Sequence, residues 1–358
     1  MSKRSKKRGS ATWSQPLVYG AIRAMAAGVN VAGLETSVRA ARVLGGAYAQ
    51  APFNRKRIER ARANLRWVNP DWTEEQVNHT ATEAYRHLIT LAMEVACTPR
   101  MITPDGWPRR VEVGDLQDAV SRLLSGKPAI LITAHCGNWE ILGAWVASMG
   151  IPMHALYRPL DLVPLDRWLR RTRQYRGLGL IDKFGAYKLL PEYFARGDSI
   201  AFTADQNAGK RGLFVPFFDR LASTYKSIGL LALEHEVPII CGSAQRLGVP
   251  GIHGLRYRVS VDDIITPDDW VDQPDPLFYI TARYRRSIER MVMQAPEQYL
   301  WMHRAWKSRP RFEIAGKPFP DSLRAKLEDL PWMTQASLDR ILFRSEQDTQ
   351  DFAQASQA

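Results

Sequence analysis

Residues 135–140 read His-Cys-Gly-Asn-Trp-Glu, which sets the imidazole of His135 and the carboxylate of Glu140 five positions apart. Brought to one space, such a pair can move a proton. The carboxylate fixes the tautomer through one ring nitrogen. The other nitrogen takes a proton from a hydroxyl as it attacks a thioester, then returns it to the departing thiol, without a covalent enzyme intermediate. Spacing alone is weak support, because seven histidines and 37 acidic residues in 358 give about 0.7 such pairs by chance. The setting adds weight. The apolar run 128–134, with Ile130, Leu131 and Ile132, reads as a buried strand, and 139–149 reads as the helix after it. Asn138 is placed to cap that helix, leaving His135 on the strand-end loop and Glu140 in the first turn. Open α/β sheets build their sites at such strand ends. The competing reading is a strand-end histidine with a glutamate that complements the helix dipole. Asp205 follows another apolar segment, 199–204, and so brings a second carboxylate to the same edge.

The surrounding pattern supplies elements to hold these residues. Further strands are expected at 153–157, 178–181, 199–204, 238–243 and 255–261, separated by helices at 186–195, 227–236 and 276–294. Strand and helix alternate, so the fold class is an α/β sandwich with a largely parallel sheet. Ahead of it, 13–49 is Ala-rich and Gly-interrupted, with Arg23, Arg39 and Arg42 among apolar residues. That suits amphipathic or interfacial helices, or a helical layer over a core. Residues 54–68 read as a short basic helix. A long helix at 73–97 opens on Thr73 and Gln76 as a capping box, with Val77, Ala81, Tyr85, Leu88, Ala92 and Val95 as its buried stripe. The chain divides into a basic N-terminal arm with membrane-associating helices (1–66), an α/β body with its leading helix (67–315) and a C-terminal extension (316–358). The polar end of that extension, 347–358, is expected to be disordered.

The charge is unevenly placed. Net charge is +12, and residues 1–66 hold 14 Lys and Arg against Glu35 and Glu59, so that segment carries the whole surplus. The balanced remainder argues against nucleic acid as partner and for an anionic surface met by the N-terminal segment. Cys97, Cys136 and Cys241 are odd in number, far apart and without a CxxC, which suggests neither disulfides nor a thiolate zinc site. The histidines show no HExxH or other zinc spacing, and no GxSxG elbow occurs. Residues 24–34 fall far short of the roughly 20 apolar residues of a spanning helix, and Arg23 interrupts what would be a signal-peptide core. The expectation is a cytoplasmic chain lying on a membrane.

Other motifs follow in order: Tyr157-Arg158-Pro159-Leu160, Ala204-Asp205-Gln206, the segment 212–218 with Thr224, and 296–301 running on through His303, Lys307, Arg309 and Pro310. Together with His135 to Glu140 they resemble the HxxxxD/E signature of the lysophospholipid and glycerol-phosphate acyltransferases, in the HxxxWE style of the bacterial lipid A late acyltransferases. The likeness covers about 30–312, and five ordered motifs are more specific than one. Leu162 departs from it, since relatives often carry Asn there. The resemblance implies a glycerol-phosphate-acyltransferase-like mixed, largely parallel sheet with an N-terminal helical layer. It implies transfer of an acyl chain from acyl carrier protein or coenzyme A to a glycolipid, without a cofactor or metal, at the cytoplasmic face of an inner membrane. It also implies His135 as base, Glu140 as its orienting partner, and catalytic places for Arg173 and Asp205, the latter orienting Arg173 or the histidine. Arg158, Arg170 and Arg176 are candidates for binding substrate phosphate or developing negative charge. His303, Arg304, Lys307, Arg309 and Arg311 form a second basic group. The alternatives are another lipid acceptor, such as a mannosylated phosphoinositide, an amino-acid lipid or a lysophospholipid, and a non-catalytic membrane-binding relic.

Overall fold

A computed structural model of the chain describes residues 14–175, 177–248 and 255–357. Arg176 and the basic leader at 3–8 lie outside the described residues.

Among the described residues four helices come first: α1 (Ser14–Ala32), α2 (Leu34–Gln50), α3 (Arg55–Val68) and α4 (Glu74–Met101). Thr73 caps α4 through the expected box, its hydroxyl accepting from the Gln76 N–H at 3.2 Å while the Gln76 side chain accepts from the Thr73 N–H at 2.8 Å. Helix α2 crosses α4 closely at Gly45, where a Cβ would stand 2.6 Å from the Arg86 Cα. The buried stripe of α4 includes Val77, Ala81, Tyr85 and Val95, with Leu88 half-buried, but not Ala92, which is exposed. Its second half also buries His87, Leu91 and Glu94. Two of these are polar and so are invisible to hydrophobic periodicity.

Nine strands follow among the described residues: β1 (Val111–Val113), β2 (Ile130–Thr133), β3 (Met153–Tyr157), β4 (Gly179–Asp182), β5 (Ser199–Thr203), β6 (Leu213–Pro216), β7 (Leu221–Thr224), β8 (Ile239–Leu247) and β9 (Arg256–Ile265). Seven form one sheet in the order β1-β9-β8-β2-β5-β3-β4, parallel throughout except between β8 and β9, while β6 and β7 make a separate hairpin. The fold is thus the expected α/β class. Side chains alternate across the sheet: Ile130, Ile132 and Ile200 enter a core beneath α3 and α4, while Leu131 and Ala201 pack on the other side with Ile141 and Trp145.

Parallel neighbours require crossovers. Between the strands run α5 (Gln117–Leu124), α6 (Trp139–Ser148), α7 (Val163–Gln174), α8 (Leu190–Ala195) and α9 (Lys226–His235). The helix expected over 186–195 is a 3-10 turn, Ala186–Lys188, followed by α8, because Pro191 in the first turn of α8 cannot donate into a preceding helix. After β9 come α10 (Pro267–Trp270) and α11 (Pro276–Gln294), then α12 (Arg311–Ile314), α13 (Asp321–Glu328) and α14 (Gln335–Gln357). Helix α14 runs through the segment expected to be disordered. Its Asp348 is buried against Arg220 and Arg309, a polar anchor that composition does not reveal.

Behind residues 135–140 lies a buried polar network. Arg246 on β8 donates to both oxygens of Glu94 on α4 at 2.7 Å, with side-chain exposures of 4% and 0%. Glu94 also accepts from the Asn138 amide at 2.7 Å. Arg246 Nη1 lies 2.9 Å from His87 Nδ1, and His87 Nε2 lies 3.0 Å from the Gly137 carbonyl. A guanidinium can only donate, so Nδ1 accepts and Nε2–H donates to Gly137. Burial, then the Arg246 charge, hold the His87 pKa well below its ordinary value and keep the ring neutral. Gln298 completes the network, bonding the Arg246 backbone in both directions at 2.9 Å while its own carbonyl accepts from Gly137 N–H. Gly137 itself has φ +57, and a Cβ there would stand 2.2 Å from the Ala244 carbonyl oxygen, so only glycine fits.

Removing one partner of a buried ion pair leaves the other charge uncompensated. Arg246→Met is therefore expected to lower the unfolding free energy by about 3–5 kcal/mol, measured by equilibrium urea unfolding. A loss below about 1 kcal/mol would show that the network does not hold the fold.

Candidate active site

Register brings two side chains together. Strands β2 and β5 pair in parallel with Thr133 opposite Thr203, and the Ala204 N–H bonds the Thr133 carbonyl at 2.9 Å. Two residues beyond each of these paired threonines stand His135 and Asp205, whose Nδ1 and Oδ1 are 2.7 Å apart. Asp205 is fully buried and His135 retains 21% side-chain exposure. Burial alone would raise the Asp205 pKa, but the facing His135, its hydrogen bond and His303 outweigh burial and hold the carboxyl well below its ordinary range. The ionised carboxylate accepts, so the His135 Nδ1 carries the hydrogen. Nε2 makes no hydrogen bond to a described residue and is free to take a proton. A depressed carboxylate contributes stability above its unfolded pKa of about 3.9 and loses it only as pH falls towards the folded value, so Asp205 leaves the neutral range unaffected.

The partner of His135 is thus Asp205, and Glu140 does not orient the ring. Asn138 caps α6 as expected, accepting from the Glu140 and Ile141 N–H groups at 3.1 and 2.9 Å. Glu140 then faces Arg173 on α7 in a two-pronged pair, Nε to Oε2 at 2.8 Å and Nη2 to Oε1 at 2.5 Å. Burial would lower the Arg173 pKa, but Glu140 more than offsets it and the guanidinium stays charged. Arg173 also stacks on Tyr157, with its guanidinium carbon 5.1 Å from the ring centroid. Helical phase separates the arginines. Arg173 and Arg170, one turn apart, both face Tyr157, whereas Arg171 points to solvent. Arg158 is exposed near Lys183, whose pKa is lowered by burial and then by Arg158. Arg176 lies outside the described residues.

Around the imidazole the walls are aromatic. Trp139 meets His135 edge-on at 4.9 Å and His303 does so at 5.1 Å. The loop carrying His303 is fastened to the catalytic loop by the Leu300 N–H on the His135 carbonyl at 3.2 Å and by a bridge between Cys136 and Tyr299. Burial, aided by the facing His135 and only partly opposed by Asp205, lowers the His303 pKa, so this ring adds no charge beside His135 near neutrality. His135, Asp205 and His303 bring potential ligand atoms within 4.8 Å of one another; Nδ1 of His135 and Oδ1 of Asp205 share a hydrogen bond, whereas Oδ2 of Asp205 and Nδ1 of His303 have no hydrogen-bond partner among the described residues. The second basic group divides. Arg309 is buried against Glu313 at 2.8 Å and Asp348 at 2.6 Å and belongs to the framework, whereas Arg304, Lys307 and Arg311 are exposed.

Sequence reasoning missed His87, Glu94, Arg246 and Gln298, which hold the catalytic loop from behind. A signal existed for two of them. His87 and Glu94 lie seven residues, about two helical turns, apart within the apolar face of α4, where polar residues require partners.

Comparison with known proteins places the geometry in a family. The model for the bacterial lipid A biosynthesis acyltransferases matches residues 10–308. The lipid A biosynthesis palmitoleoyltransferase of Escherichia coli K12 is 27% identical over 269 residues, covering 74% of this chain and 83% of that protein. The lipid A biosynthesis lauroyltransferase of the same organism is 25% identical over 268 residues, 72% and 81% of the two chains. A phosphatidylinositol mannoside acyltransferase of Mycolicibacterium smegmatis is 24% identical over 129 residues, 35% of this chain and 42% of that one.

The two carboxylates should be separable by mutation. Asp205→Asn presents an amide N–H to Nδ1 and so favours the wrong tautomer. It should cost on the order of 10⁴ in turnover, close to the 10²–10⁴ expected for His135→Ala. Glu140→Gln weakens only the hold on Arg173 and should cost about 10- to 100-fold. Steady-state kinetics on proteins with wild-type thermal melting decide the matter. Equal losses for Glu140→Gln and Asp205→Asn would contradict the division of roles.

Proposed function

Because the chain belongs to the bacterial lipid A biosynthesis acyltransferase family, and is therefore an acyltransferase, we propose that it transfers a fatty acyl chain from an acyl carrier protein or coenzyme A thioester to a hydroxyl of a lipid A-like glycolipid. The observation that carries this reading is the buried Asp205 on His135 Nδ1 at 2.7 Å, which leaves Nε2 directed to a substrate. In the reaction, Nε2 takes the proton of the acceptor hydroxyl as its oxygen attacks the thioester carbonyl. The Asp205 carboxylate stabilises the imidazolium so formed. The tetrahedral oxyanion then collapses, the C–S bond breaks, and the proton passes from Nε2 to the departing thiolate. Arg173, fixed by Glu140, supplies positive charge at the same sheet edge for negative charge on the substrate. The lipid A enzymes align over 72–74% of this chain against 35% for the phosphoinositide mannoside enzyme, which favours a lipid A-like acceptor.

The reaction takes place at the cytoplasmic face of the inner membrane, with the enzyme bound on the surface. No described helix is long and apolar enough to cross a membrane. Yet Leu17, Val18, Met25 and Val31 on α1, Val43 and Leu44 on α2, and Phe53 after it are all at least half exposed. An apolar face of this kind, next to a surplus of basic residues, suits an anionic bilayer. Each basic residue near the surface contributes about 1 kcal/mol, screened by salt.

Two experiments test these readings. Purified enzyme given acyl carrier protein and coenzyme A thioesters with a lipid A precursor should add one acyl chain, read by lipid mass. Transfer to none of the glycolipids offered would contradict the proposal and favour a non-catalytic relic. High salt should only partly release the protein from anionic vesicles, whereas removal of residues 1–50 should release far more. Resistance to carbonate extraction, or indifference to lipid charge, would exclude surface binding of this kind.

A further inference from the structure

Beside the catalytic loop, between α2, α3, α4 and residues 302–304, lies a cavity of about 490 Å³. Three guanidiniums line it: Arg57 and Arg60 from α3, and Arg304 from the loop that carries His303. Two other arginines of α3 are held by carboxylates. Arg62 bonds Glu59 at 2.6 Å and Arg66 bonds Glu74 at 2.6 Å. Arg57 reaches only the Tyr48 hydroxyl at 3.4 Å, and Arg60 donates to the Met302 carbonyl at 3.1 Å. No carboxylate among the described residues pairs with Arg57, Arg60 or Arg304. The charges feel one another, since burial and then the Arg304 charge lower the Arg60 pKa. Three cations without carboxylate partners converge on one cavity, and the planar fork of a guanidinium matches phosphate oxygens.

Position narrows the occupant. His303 lines the same cavity and meets His135 at 5.1 Å between ring centroids, so an anion held here sits on an approach to the base. Tyr48, on the cavity wall, packs on Phe53 at 5.7 Å, and Phe53 is 76% exposed at the end of the apolar α1–α2 face. One flank thus leads to the reacting atom and another to the surface proposed to meet lipid. Asn64 secures the arrangement by donating to the Trp301 and His303 carbonyls at 2.8 and 3.1 Å.

We propose that Arg57, Arg60 and Arg304 form a subsite for a phosphate group of a substrate whose reacting end lies at His135. The inference rests on the acyl-transfer reading above. Two sources share this chemistry: a sugar phosphate of the glycolipid acceptor and the phosphopantetheine phosphate of the acyl donor.

The test is a kinetic matrix on the full chain in detergent micelles, comparing wild type with Arg57→Gln, Arg60→Gln and Arg304→Gln. Acceptors are a phosphorylated disaccharide glycolipid and the same lipid after phosphatase treatment. Donors are acyl carrier protein thioester and a phosphate-free acyl-N-acetylcysteamine thioester. Variants that melt as wild type should raise KM about tenfold or more with kcat nearly unchanged, and only for the substrate whose phosphate is bound. A penalty that vanishes with the dephosphorylated lipid assigns the subsite to the acceptor. A penalty that vanishes with the phosphate-free thioester assigns it to the donor. Unchanged KM in every variant, or equal losses with phosphate on neither substrate, would overturn the subsite. Binding of the two glycolipids and of phosphopantetheine to the same proteins, followed by tryptophan fluorescence, reads the subsite without turnover. Phosphate-dependent, arginine-dependent binding without transfer would contradict the acyl-transfer reading and leave the subsite standing, whereas transfer without that dependence would do the reverse.

Discussion

The Glu94–Arg246 pair, closed off from water between α4 and β8, is the constraint on which the site depends. Two charges buried together stabilise a fold only if every remaining donor and acceptor is matched, and here the matching groups belong to the catalytic loop. Asn138 spends its amide on Glu94 and its carbonyl oxygen on the first turn of α6. Gly137 gives its carbonyl to His87 and its N–H to the Gln298 carbonyl. The loop can shift only by leaving buried polar atoms unpaired. Rigidity in front of the network is therefore obtained from polar satisfaction behind it.

With the loop fixed, parallel register does the rest. Strands β2 and β5 deliver His135 and Asp205 from positions 70 residues apart to a single hydrogen bond. A second carboxylate, Glu140, stands close by in sequence but is occupied by Arg173. Two acids at one sheet edge thus acquire different tasks through their partners alone. Asp205 meets an imidazole and fixes which nitrogen carries its hydrogen, while Glu140 meets a guanidinium and holds a fixed positive charge. The neutral rings of His303 and Trp139 narrow the space around the base without adding charge to it.

Much of this was legible in the sequence, and the failures have physical causes. Strand 153–157 and helix 276–294 were read to the residue because proline, glycine and aspartate punctuate them, and the caps at Thr73 and Asn138 followed from local chemistry. The motif residues His135, Glu140, Arg173 and Asp205 do converge on one edge. Which acid serves His135 was not readable, because that answer lies in the register of strands far apart in sequence. Which arginine of α7 faces inward depends on helical phase, which a run of neighbouring arginines does not reveal. Residues 347–358 look like a solvated tail by composition, yet α14 continues through the segment because Asp348 answers Arg220 and Arg309. Polar residues buried for one specific partner are where periodicity gives no signal.

The central claim is that Asp205 holds His135 with its hydrogen on Nδ1 and an open Nε2. Nitrogen-resolved NMR of the imidazole, recorded at a pH where the ring is neutral, reads this directly. The account predicts a protonated Nδ1 with a strongly downfield hydrogen, an unprotonated Nε2, and loss of that signal in Asp205→Asn. A neutral ring protonated on Nε2 in the wild type, or a signal unchanged by Asp205→Asn, would contradict it.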